Sequence, residues 1–191
     1  MSCFAALLCP LLAVAAFCQA DDPARTLAAG NAPEALEQVD GLLKADPGNP
    51  RLLTVQGLAL IELHREREAL ASFERALTVS PKSLPALRGA AEAAYTARDP
   101  KAVEYAKLLL SLAPDDPTAN AIAGVLAFET KDCSATVAHF VRSEPLLSRN
   151  AAALAQYGEC LARLERYPEA AAQFGRALKI QPAAARPARR D

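Results

Sequence analysis

A fixed interval between helix-ending residues constrains this chain more than any other feature. Pro47, Pro81, Pro114 and Pro182 each close an apolar stretch, Ser148 holds the one remaining place, and the successive differences are 34, 33, 34 and 34 residues. Each closing position follows a stripe at i, i+4 and i+7, the spacing of one helix face. The stripes are Ala35-Val39-Leu42, Ala69-Phe73-Ala76, Ala102-Ala106-Leu109, Thr136-Phe140-Ser143 and Ala170-Phe174-Ala177. Before each of the last four lies a small residue or pair: Gly57, Gly89-Ala90, Ala123-Gly124 and Gly158. Paired helices approach closely only where side chains are small, so each period reads as two packed helices. An irregular alanine-rich bundle would not hold such a period through four intervals.

Composition agrees with an all-α chain. Alanine is abundant, aromatics make up 5% and tryptophan is absent. Alanine is the strongest helix former. There is no alternating Val/Ile/Thr/Tyr run and no hairpin signal. The formal net charge of −1 lacks the basic excess that nucleic-acid binding requires, so no nucleic acid is expected as a partner.

The best-kept copy runs from Ala151 to Pro182. With Leu154, Tyr157, Gly158 and Leu161 on a first helix and Ala170, Phe174, Ala177 and Pro182 on a second, it resembles a tetratricopeptide repeat (TPR). Leu154 stands in that pattern's tryptophan slot, Tyr157 in its leucine slot and Leu161 in place of the first-helix aromatic. The resemblance implies an α-solenoid of antiparallel helix pairs, the right-handed TPR superhelix, after an N-terminal signal segment. Its divisions are 21–48 (a truncated or capping repeat), 49–82, 83–115, 116–148 and 149–182, followed by a disordered tail over 183–191. Ala106 replaces the usual aromatic of the third unit, and Pro145 interrupts the fourth slightly early. The tail holds Arg186, Arg189 and Arg190, too few charges for more than weak attraction to a membrane.

Residues 1–20 differ from the rest. Phe4 to Phe17 is apolar apart from Cys9 and Pro10, and no charge precedes Asp21. Such a core has the length of a signal-peptide h-region and is short for a bilayer span. Cleavage is expected after Ala20, although no Lys or Arg precedes the core. A lipoprotein signal with Cys18 as the lipidated residue and an uncleaved anchor are the rival readings. All of them export the chain, to the periplasm or as a secreted protein, with membrane contact only through this segment.

By the same resemblance, first helices line a concave groove that takes a protein or peptide partner. The groove positions carried over are Arg51, Leu58, Ile61, Glu62, Leu87, Tyr95, Val125, Phe128, Glu129, Glu159 and Arg163. They make a mainly apolar surface suited to an amphipathic helix or an extended peptide. The Lys/Asn clamp of TPR domains that grip acidic chaperone tails is missing, because Thr54, Leu87, Ala121 and Ala155 stand there. The uncapped second helix of the last repeat, with Phe174, Leu178 and Ile180, suggests self-association. Cys133 starts one second helix and Cys160 lies late in the next first helix. Antiparallel packing brings them near each other, as a disulfide or as two buried thiols. No catalytic, cofactor-binding or metal-binding residues are expected. His64 lies in a turn, His139 on a helix, and neither has a metal-spaced partner. Asp115-Asp116 reads as a cap, and no phosphate loop or nucleophile elbow appears. No small-molecule substrate is expected. The reading is a non-catalytic interaction scaffold of the cell envelope, with an accessory chaperone or assembly factor as the alternative.

Overall fold

The structure is a computed structural model and describes residues 22–180. The expected signal segment and the tail lie outside the described residues. Within them every regular element is a helix: α1 (Pro23–Ala28), α2 (Ala32–Leu43), α3 (Pro50–Glu62), α4 (Glu66–Val79), α5 (Leu84–Thr96), α6 (Lys101–Leu112), α7 (Pro117–Glu129), α8 (Cys133–Arg142), α9 (Glu144–Leu147), α10 (Ala151–Arg163) and α11 (Tyr167–Ile180). The early interruption at Pro145 becomes the short helix α9 between α8 and α10.

Capping side chains set the starts of most helices. Asp22, Asn49, Asp116 and Asn150 each accept from a backbone N–H in the first turn of α1, α3, α7 and α10. Asn31 and Asp132 do the same for α2 and α8. Asp99 accepts from Lys101 N–H at 2.9 Å ahead of α6. These contacts satisfy donors that the helix itself cannot. Asp116, Asn49 and Asp22 are each followed by proline at the first helical position, where a missing N–H costs nothing.

Turns within each pair are built alike. Gly30, His64, Arg98, Lys131 and Glu165 all have positive φ, between 56° and 84°. At each, the next residue donates back five positions, as Arg65 does to Leu60 O and Asp132 to Ala127 O, both at 2.9 Å. This is the Schellman closure, in which a left-handed residue reverses the chain. The turn therefore recurs at the period of the prolines, although only the first copy has glycine.

First helices touch successively along the chain, α1 to α3, α3 to α5, α5 to α7 and α7 to α10. Second helices touch only first helices and the short α9. First helices therefore form the inner wall of a curved stack, and the fold is a TPR-type α-solenoid.

Apolar burial divides along the stack. One large cluster runs from Val39 and Leu43 through Leu53, Leu70 and Phe73 to Ala90 and Ala102. Another gathers Val137, Phe140, Leu154, Tyr157 and Leu161. Two small groups join them, one around Leu87, Leu109 and Ala119, the other around Ala91, Ala106 and Ile122.

Candidate functional site

The inner wall carries three adjoining hollows. One, of about 260 Å³, opens among α5, α7, α9 and α10 and is lined by Tyr95, Ala121, Ile122, Val125 and Leu146. A second lies among α1, α2 and α3 beside Leu27, Pro33, Leu58, Ile61 and Glu62. A third bridges them at Ile61, Glu62, Ala93 and Thr96. Glu92 borders all three, which makes them one trough.

Local sequence explains this wall. On α5, Ala86, Gly89, Ala90 and Ala93 turn inward to neighbouring helices and are buried. Glu92, Tyr95 and Thr96 share the remaining face, at i, i+3 and i+4. Tyr95 stays 43% exposed and Leu58 38% exposed, so both present apolar surface at the trough. Glu92 escaped the groove assignment. Its signal was its place one turn before Tyr95 on the same face.

Other assigned positions divide. Leu58, Ile61 and Glu62 come together, as do Tyr95 and Val125. Leu87 is a correction: it is fully buried with Leu109 and Ala119. It takes the fourth place of its first helix, where Leu53 and Leu154 are also buried. Phe128 is half-buried and packs on the C-terminal cluster. Arg51 faces Asp22 at 3.7 Å, and Glu159 and Arg163 pair on their own helix at 2.7 Å. Glu129 is exposed and lines none of the three hollows.

Electrostatics single out Glu92. Although Glu92 is exposed, the trough walls partly desolvate its carboxyl and push it above the usual range, and the charge of Glu62 adds to this while Arg88 opposes it. Arg88 is otherwise engaged: its Nε and Nη2 both donate to Asp116 Oδ2, at 2.9 and 2.6 Å. Asp116 is buried, and its other oxygen caps α7.

Polar contacts elsewhere serve the fold. Asn120 Nδ2 donates to the carbonyls of Pro114 and Asp116, which leaves its Oδ1 to accept from His139 Nδ1–H at 2.9 Å. That assignment follows from the amide's donor inventory. Burial lowers the His139 pKa, with Arg142 contributing, and the bond to Asn120 pins α8 to α7. Tyr105 donates its hydroxyl to Glu74, and burial with that bond raises its pKa. Cys133 and Cys160 form a disulfide, with Cα atoms 4.8 Å apart, that ties α8 to α10. At the far end, Phe174 is 39% exposed and Leu178 59%. Among the described residues no group of His, Cys, Asp and Glu could hold a metal ion.

A tetratricopeptide repeat model matches residues 26–83, 54–117 and 134–185. No curated protein matches the sequence. Among solved structures, a crystal structure of MamA is 17% identical, with a TM-score of 0.64 over 86% of this chain and 97% of that one. MamA from Desulfovibrio magneticus RS-1, residue 41 to its end, is 18% identical at 0.64, covering 86% and 93%. YrrB, described as a TPR protein with an unusual peptide-binding site, is 18% identical at 0.62, covering 91% and 94%. At these identities the likeness is one of fold.

Proposed function

The chain belongs to the tetratricopeptide repeat family, whose members are generally scaffolds for protein–protein interaction, and from that premise we propose a finer reading. This member holds a peptide or helix of a protein partner in its concave trough, in the cell envelope, without chemistry of its own. The observation that carries the reading is the shared hollow of Tyr95 and Val125. Two first helices there leave apolar side chains uncovered along one strip, which suits a ligand that offers apolar anchors at regular spacing. Export is supported by the apolar segment before Asp21. The Cys133–Cys160 disulfide supports an oxidising compartment.

Affinity capture with the mature chain from cells of origin tests the trough. A stable co-purifying protein is expected, and Leu58→Glu with Tyr95→Glu should abolish its capture while helicity by circular dichroism stays unchanged. Phe128 is a poor probe, because its substitution would also disturb the C-terminal cluster. Retained capture by the double variant would sink the trough assignment. Suppressed aggregation of unfolded clients, with no stable partner, would assign the accessory chaperone role instead. Intact-mass measurement of the exported chain reads the cleavage expected after Ala20.

A further inference from the structure

The apolar trough carries a charge that it does not balance. Glu62 on α3 and Glu92 on α5 both line it. Among the described residues neither carboxylate has an ion-pair partner. Arg88, one turn before Glu92, is held by Asp116, Arg51 faces Asp22, and Arg163 faces Glu159. Two unpaired carboxylates beside low-dielectric walls attract a cation that brings apolar surface with it.

The sequence holds one segment of that chemistry. Residues 181–191 read Gln-Pro-Ala-Ala-Ala-Arg-Pro-Ala-Arg-Arg-Asp, with Arg186, Arg189 and Arg190 against a single acid, Asp191. Three guanidinium groups can serve the two carboxylates, and the alanines and prolines between them suit an apolar wall. Pro182 and Pro187 also reduce the entropy lost when such a segment is ordered.

We infer that the trough is occupied by this chain's own residues 181–191, with arginines at Glu62 and Glu92 and the alanines and prolines along Tyr95 and Val125. The inference rests on the reading of the trough as a peptide site and names its occupant. Reach allows it. The described chain ends at Ile180 on α11, and eleven extended residues span up to about 36–40 Å. Helices in contact lie about 8–10 Å apart, so from α11 the path through α10 and α7 takes three such steps to Glu92 on α5 and four, about 32–40 Å, to Glu62 on α3. A docked tail is an autoinhibitory contact, and a partner peptide must displace it.

A labelled synthetic peptide of residues 181–191, titrated into the full chain, tests this. The full-length variant with Arg186, Arg189 and Arg190 changed to Ala, whose own tail cannot compete, should bind the peptide about tenfold more tightly than the unaltered chain. Adding Glu62→Gln and Glu92→Gln to that variant should weaken binding about tenfold, and rising salt should do the same. Both glutamates are exposed, so the fold, checked by thermal unfolding, stays intact. The inference is overturned if the tail variant fails to bind the peptide or binds it no tighter than the unaltered chain. It is also overturned if the Gln substitutions change nothing, or if binding is lost on Phe174→Glu instead, which would put the tail on the α11 face. Partner capture that stays sensitive to Tyr95→Glu in any of those cases leaves the peptide-site reading standing and removes only the tail.

Discussion

Phe73 on α4 and Ala106 on α6 occupy the same place in successive repeats, and their surroundings differ accordingly. The Phe73 ring lies between Gly57 of its own pair and Gly89 of the next, and a Cβ on either glycine would fall inside the ring's van der Waals envelope. Ala106 is buried too, but its neighbours are Ala91, Tyr105, Ile122 and Leu126. The slot that holds Gly57 in the second repeat, the eighth place of its first helix, holds Ala91 in the third. Glycine and ring have been exchanged together for two alanines. Helix contact is kept in both cases, by a ring in a notch or by two small faces, and the second way buries less. That is why the apolar core thins between its two large clusters.

The largest effect should come from emptying the filled junction. Phe73→Ala removes a fully buried ring that two helices are shaped around. It should cost about 3–5 kcal/mol, read as a lower midpoint in urea unfolding. Ala106→Gly, at the thin junction, should cost about 1 kcal/mol. Equal losses at the two sites would break the comparison.

Polar contact replaces volume at the thin junction. Arg88 of the third repeat meets the buried Asp116 that caps the fourth. Asp116→Ala removes a cap and an ion pair at once and should cost about 2 kcal/mol. Asp22 also caps a first helix but is more exposed and only 3.7 Å from Arg51, so Asp22→Ala should cost less than 1 kcal/mol.

A third test moves the ring. Ala106→Phe should destabilise by about 1–3 kcal/mol through overpacking, because Ala91 keeps its Cβ where Gly57 has none. Adding Ala91→Gly should recover part of that loss in a double-mutant cycle. No recovery would mean that the third repeat has closed down and lost the notch.

Much of this was legible in the sequence because it rests on period and volume. The stripes, the small residues and the capping Asp and Asn are local signals that agree with each other. Leu87 was not legible. The 33-residue interval loses its residue only after the turn at Arg98, so α5 keeps the 34-residue register and Leu87 takes the buried place of Leu53. Glu92 was overlooked for another reason. A charged residue on a helix reads as solvated until the curvature of three helices puts it between hollows.

The turns give the smallest and sharpest comparison. Gly30 and Lys131 hold the same left-handed place, at φ 84° and 63°. Both donate back three residues, Gly30 to Leu27 O and Lys131 to Phe128 O, each at 2.9 Å. For lysine that backbone costs about 1 kcal/mol, and for glycine nothing. Glycine in turn loses more freedom on folding, by about 0.5 kcal/mol. Lys131→Gly should therefore stabilise by only a few tenths of a kcal/mol, and Gly30→Ala should destabilise by about 1 kcal/mol even though a Cβ there meets nothing within 4 Å. A neutral Gly30→Ala would mean that the short α1 pair relaxes its turn, and that the first repeat is held less firmly than the four after it.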